Sequence, residues 1–303
     1  MHRGSFTPFR TVPGRALRAG SLVILAALPF FAAAAAPLVA QRAPTAEPLW
    51  TLDGFDVPES VLYDAARNVL YVSNIEGGFD QADGQGYVSR VSLDGEVLER
   101  RWVEGLDAPK GLGLRDGHLF VADLTNLVEI DVETGRIVAR HTVEGAQFMN
   151  DVAVDDEGTV WVSDTFAQRV YRFAGDGLET WVEDARLAGV NGLYPAGEAL
   201  LGGSFQTGAM LRVGRHEPVV EVLSEGWAAF DGIVPDGRGG WWVSDFAGRV
   251  FHTTDPHSPP VHTVVETRSA RLNAADIEYV ADRRMLLVPT FNAGRVMAYR
   301  IVW

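Results

Sequence analysis

The chain has 303 residues, 26 basic and 40 acidic, for a net charge of −14 at pH 7. A surface this acidic repels phosphate backbones and anionic headgroups, which counts against nucleic acid and, beyond the N-terminal segment, against membrane as partners. There is no cysteine, which removes disulfides, thiolate metal sites, iron–sulfur clusters and cysteine nucleophiles together.

Residues 1–40 hold Arg3, Arg10, Arg15 and Arg18 without an acid, then an apolar run over 21–40 that ends in the small-residue stretch Leu38-Val39-Ala40. This predicts a secretory signal peptide cut near Gln41. The alternative is an uncleaved anchor, since about 20 apolar residues span a bilayer. On either reading the protein is exported, periplasmic or secreted. Residues 41–303 are expected to form one domain, large enough to need no disulfide staples.

From residue 58 onward one pattern recurs: a polar residue, a small residue, an alternating strand, a Gly- or Asp-containing turn, then a strongly apolar strand. PESVLYDAARNVLYVSN, FMNDVAVDDEGTVWVSD and AFDGIVPDGRGGWWVSD show it plainly. The leading positions are Glu59, Lys110, Asn150, Asn191, Asp231 and Ala275, at steps of 51, 40, 41, 40 and 44 residues. Each unit continues with two more β-type runs, such as RVYRFA and LETWVED. Four strands at this period make a propeller blade. The first step is longer because EGGFDQADGQG, residues 76–86, inserts a loop. No segment sustains a 3.6-residue period. The sixth unit is one strand short, while the unassigned strand PLWTLDGF precedes the first. The expectation is an all-β, six-bladed β-propeller with four antiparallel strands per blade, its N-terminal strand closing the last blade.

The starts of the innermost strands crowd around a propeller's axis. There Glu59 and Asp231 supply carboxylates and Asn150 and Asn191 supply amides. An all-oxygen set suits a hard divalent cation, calcium above all, whereas zinc wants His or Cys and magnesium a stricter octahedron. The next residues are Ser60, Gly111, Asp151, Gly192, Gly232 and Asp276. Small neighbours let the backbones approach one another. Asp276 reads equally as a positioning group, a base or a strand cap. Lys110 is the only lysine among the 26 basic residues. Its place in the column suits a substrate contact or a catalytic amine. A salt bridge to Asp123 or Asp164, or a solvated head group, is the competing expectation. Asp123, Asp164 and Asp245 close second strands and read as caps. Phe205 and Phe246, with Phe166 and Phe291 and joined by Phe148, Trp227 and Phe230, are candidates for an aromatic half-ring suited to an apolar substrate. Metalloprotease, serine-hydrolase and phosphate-loop motifs are absent. None of the 7 histidines falls in the column.

PES at Glu59, ND at Asn150-Asp151, NGL at Asn191 and FDG at Asp231 carry a resemblance to a known family. The chain resembles the senescence marker protein (regucalcin)/gluconolactonase family of six-bladed propellers over about residues 49–303, and VSDTFAQRVYRF resembles NHL repeats. The resemblance implies a divalent metal, Ca2+, held by Glu59, Asn191 and Asp231, with Asn150 as fourth ligand or substrate contact. It implies Asp231 as general base, and nearby Asp151 is the other candidate. Lys110 and the one-position shift of the acid at Ala275-Asp276 depart from the family pattern. The function so implied is an exported calcium-dependent hydrolase, a gluconolactonase-like lactonase. The metal at the channel mouth would polarise the carbonyl of a small lactone or ester for attack by water. The rivals are a non-catalytic, metal-stabilised binding or scaffold module of NHL type and a hydrolase of phosphotriesters or other esters.

Overall fold

In the computed structural model, Met1 and residues 43–175, 177–259 and 262–303 are described. The chain falls into two units, Met1–Ala40 and Gln41–Trp303. The expected signal peptide or anchor lies outside the described residues. In the larger unit the described residues form six four-stranded antiparallel sheets, each taking its strands in chain order except the last.

The third blade shows why the sequence reads as it does. Its strands are Met149–Val154, Val160–Asp164, Arg169–Ala174 and Gly177–Glu183. The first two are buried almost throughout, while the fourth alternates between exposed and covered positions. Inner strands are covered on both faces by neighbouring blades, so they appear as apolar runs such as Val160-Trp161-Val162. The outermost strand faces solvent on one side and keeps the polar–apolar alternation. The turns between first and second strands are set by Asp64, Asp155 and Asp236. Their Oδ1 atoms accept backbone N–H groups two to four residues ahead, from Ala66 and Arg67, Glu157 and Thr159, and Arg238 and Gly240. This is the Asx-type bonding that makes Asp a turn residue.

The apolar core is divided into clusters between adjacent blades. Trp161, Val170 and Leu187 meet Leu200 and Leu211 between the third and fourth, for example. Ring closure is the same kind of contact, with Val61, Leu70 and Val72 of the first blade packed on Leu287, Val296 and Ala298 of the sixth. The strand Thr45–Asp53 completes the sixth sheet, pairing antiparallel with Arg295–Val302 from Thr45↔Val302 to Asp53↔Arg295. The ring is thus closed by a backbone ladder as well as by side chains. Pro48 falls at a bulge on this edge strand, where a missing N–H is tolerated. The innermost strand of the sixth blade is shorter than the repeat predicts, Glu278–Val280. Ahead of it, Ala275 N bonds Pro289 O, and Asp276 pairs in parallel with Ser60 of the first blade.

In the second and third blades the second-strand end ties the blade to the chain entering it. Asp123 accepts the amides of Asp107 and Ala108, and Asp164 accepts those of Gln147 and Phe148. Asp245 accepts the Ala247 amide and pairs with Arg249. Asp123 and Asp164 are thus connectors between blades, whereas Asp245 acts within its own blade.

Candidate functional site

In the first five blades the pairing of first and second strands slips at one place. Pro58 pairs with Asn74 but Val61 with Val72; Met149 pairs with Asp164 but Val152 with Val162; Phe230 pairs with Asp245 but Ile233 with Val243. The same slip occurs between Pro109 and Leu112 and between Val190 and Leu193. One extra residue is accommodated on the inner strand, a β-bulge that re-aims side chains. The bulged pairs are Glu59-Ser60, Lys110-Gly111, Asn150-Asp151, Asn191-Gly192 and Asp231-Gly232. The first of each pair reaches the channel mouth. The small second residue is needed where blades crowd: a Cβ on Gly192 would lie 2.1 Å from the Asp231 carbonyl oxygen, and one on Gly232 would lie 2.4 Å from Asp276 Oδ1.

The mouth opens into a cavity of 450 Å³ whose polar lining includes Glu59, Lys110, Asn150, Asn191 and Asp231. Five of the residues singled out in the sequence therefore meet in one place. Phe205 and Phe246 line it too, with ring centres 5.5 Å apart, and Phe291 lies 5.1 Å beyond Phe246. A second arc runs Phe79–Phe148–Phe166 at 6.2 and 4.5 Å. Phe79 was not anticipated. It sits on the inserted loop 76–86, and the signal for it was a lone aromatic in an insertion on the site face. Trp227 and Phe230, expected in the half-ring, are instead 1% and 0% exposed and pack between the fourth and fifth blades.

Both amides are oriented by donation. Asn191 Nδ2 donates to Asp231 Oδ1 at 3.2 Å, and Asn150 Nδ2 donates to Thr165 Oγ1 at 3.0 Å. The Thr165 hydroxyl donates in turn to Val190 O at 2.8 Å, so it must accept from Asn150. Asn150 Oδ1 and Glu59 Oε2 are buried and have no hydrogen-bond partner among the described residues. Unpartnered buried acceptors are costly and rare. Two carboxylates and two amides whose free atoms are oxygens fit a divalent hard cation. Among the described residues no three His, Cys, Asp or Glu side chains group as metal ligands; a cation here depends on the amides.

The electrostatics agree with that fit. Burial, then the charge of Asp231, hold the Glu59 carboxyl well above its usual range against the opposing pull of Lys110. Burial, then the charge of Asp151, push Asp231 up to about 8 despite the Asn191 hydrogen bond. Burial lowers the Lys110 amine to about 8 against Glu59 and Asp123. With Asp231 titrating near 8 when folded and near 4 when unfolded, the folded state holds the extra proton between those values. In chelator, the protein is therefore expected to lose stability as pH rises from 4 to 8. Melting scans across that range check this; a flat or rising profile would contradict it.

Two further expectations are corrected. Asp151 does not line this cavity. Its Oδ2 accepts the Leu193 amide at 2.6 Å and its Oδ1 the Val152 amide at 2.7 Å. It lines a different cavity, as does Asp276, whose Oδ2 accepts the Ser60 hydroxyl at 2.5 Å. Consecutive residues of one bulge thus serve different cavities, and Asp151 is no candidate base for a water at the mouth. Lys110 makes neither expected salt bridge and is not solvated. It is 2% exposed, its Nζ donates to Ala108 O at 2.8 Å, and it lies 4.2 Å from the centre of the Phe148 ring.

A closed ring of six four-stranded sheets with its polar column at one mouth defines the class: the chain is a six-bladed β-propeller. No family model and no curated protein matches the sequence. Among solved structures it is similar to a putative gluconolactonase, with 20% identity and a TM-score of 0.64 over 85% of this chain and 92% of that one. It is similar to a gluconolactonase of Xanthomonas campestris, with 15% identity and a TM-score of 0.63 over 84% and 89% of the two chains. It is also similar to a virginiamycin B lyase from Staphylococcus aureus, a catalytically inactive His-to-Ala form with quinupristin, at 10% identity and a TM-score of 0.59 over 86% and 100%. At these identities the likeness establishes the architecture; activity has to be argued from the site.

Proposed function

We propose that the chain is a calcium-dependent hydrolase of lactones or related esters, a propeller of the gluconolactonase type. One observation carries this reading: Glu59, Asn150, Asn191 and Asp231 meet in an open cavity with two buried acceptor oxygens unpartnered. The structural likeness to a gluconolactonase and to a putative gluconolactonase supports it. Glu59, Asn150, Asn191 and Asp231 would hold the ion, which when bound supplies a Lewis acid for the substrate carbonyl. Asp231, whose Oδ1 is fixed by Asn191, takes a proton from the attacking water at its other oxygen. The acyl–oxygen bond then breaks, the leaving alkoxide recovers that proton, and the product is a hydroxy acid. The two phenylalanine arcs hold the apolar part of the substrate and exclude bulk water.

No histidine of the described residues lines this cavity, which sets the reading apart from a lyase inactivated by a His-to-Ala change. Export belongs to the same proposal, since extracellular calcium fills even weak sites. A mature N-terminus near Gln41 in protein recovered from its native host would support it.

Calcium at about 100 times its dissociation constant is expected to add about 3 kcal/mol, a rise in Tm of about 5–10 °C. A panel of γ- and δ-lactones should be opened in calcium, spared in chelator and opened again on re-addition. A Tm rise with no lactone or ester turned over would leave the scaffold alternative standing.

A further inference from the structure

Lys110 is a buried cation that no carboxylate of the described residues contacts; Glu59, Asp123 and Asp80 act on it only from a distance. No carboxylate of the described residues comes within 4.0 Å of its Nζ. Asp123, the acid expected to pair with it, is occupied by the Asp107 and Ala108 amides and by Arg140. An ammonium has three N–H donors, and Ala108 O uses one of them. The Phe148 face steadies the charge without neutralising it. Desolvating a cation is costly unless something pairs with it, and the side chain lines the cavity.

Charge balance gives the sign of the missing partner. Among the described residues the carboxylates lining this cavity are Glu59 and Asp231. A divalent cation balances their two charges and leaves Lys110 as a surplus positive charge beside the substrate. The arc Phe79–Phe148–Phe166 lies on the same side, with Phe148 shared between the ammonium and the apolar wall.

Resting on the hydrolase reading of this cavity, we propose that Lys110 determines specificity: the substrate is a lactone or ester bearing a carboxylate, which Lys110 binds while the adjoining ring carbons lie on the Phe148 arc. Lys110 positions the substrate and takes no part in proton transfer. Neutral sugar lactones, on this view, are poor substrates.

The sole lysine makes the proposal testable in the unaltered protein. Cyanate in calcium buffer carbamylates the Lys110 amine, and peptide mass reads the extent. Tetrahydrofuran-2-carboxylate has no acyl bond to open. It should slow that reaction saturably by about 10-fold, whereas tetrahydrofuran-2-carboxamide at equal concentration should not. Equal protection by the two, or none by either, overturns the proposal. In turnover, the wild type should prefer γ-butyrolactone-γ-carboxylate over its carboxamide by about 10-fold or more in kcat/KM, and Lys110→Met should bring that ratio to about one. A ratio that Lys110→Met leaves unchanged also overturns it. Carboxylate-specific protection without any lactone or ester turnover would sink the hydrolase reading and with it the substrate class, keeping only Lys110 as the carboxylate contact of a binding site.

Discussion

Glu59→Gln should weaken calcium binding by about 100-fold or more, at least the penalty of losing a supporting group around a metal, and lactone hydrolysis should fall with it. The same substitution should stabilise the ion-free protein at pH 8. Glu59 is 5% exposed, its Oε2 has no partner, and Asp231 raises its carboxyl further. Glutamine keeps the volume and removes the charge. At pH 8 the unfolded glutamate is ionised, and folding must either protonate it or bury it charged; glutamine avoids both. A gain of about 1 kcal/mol, or 2–4 °C in Tm, follows in chelator. It should vanish near pH 4, where the carboxyl is protonated folded or unfolded. Asp231→Asn should behave in the same way, with turnover lost more completely because the base goes with the ligand. Calorimetric titration with calcium and melting scans at the two pH values measure both halves. Unaltered calcium affinity in Glu59→Gln would place the ion elsewhere and end the proposal.

The second large effect is on stability alone. Asp155→Ala should cost about 4 kcal/mol, roughly 10 °C in Tm, while leaving kcat/KM unchanged below the transition. Asp155 sets the turn between the first two strands of the third blade, and Arg215 follows the third strand of the fourth. Their side chains are 1% and 5% exposed and pair at 2.8 Å. The Asp155 carboxylate also accepts the Trp161 indole at 2.8 Å and the Glu157 and Thr159 amides at 3.0 and 2.9 Å. Burial alone would raise this carboxyl, but the indole, the Thr159 amide and Arg215 outweigh it and hold it below the usual range. Alanine strands the indole and the two amides and takes from the buried Arg215 its one buried carboxylate, leaving it the exposed Asp156 at 2.8 Å and the Gly197 carbonyl. Arg215→Met should cost less, about 2 kcal/mol, because Asp155 keeps three donors. The double variant should fall short of the sum, since both changes break one interaction. Unfolding in urea measures all three; additive losses would show that the residues act independently.

The architecture was legible because its signals are local and repeated. Alternation of period two, a turn aspartate and an apolar second strand recur about every 40 residues, and each follows from one blade's own burial pattern. The missing sixth-blade strand was legible for the same reason, as the N-terminal run was the one β-type segment left over. The mouth residues could be read because the bulge falls at the same register in five blades, so position in the repeat stands in for position in space. The partners of those residues could not be read that way. Lys110 turns to Phe148 and Ala108 O because connector amides and Arg140 fill Asp123. Asp151 turns to the Leu193 amide because the next blade brings that N–H within 2.6 Å of its Oδ2.

The sequence by itself therefore determined the number of blades, their strand pattern, the closure of the ring and the residue types brought to its mouth. Those depend on which side chains need burial and how often they recur. Only the tertiary structure decided which of two consecutive bulge residues enters the cavity, which aromatics wall it and which charge stays unpaired. Those depend on how closely neighbouring blades approach at the axis, a distance that packing across separate repeats sets and no single repeat encodes.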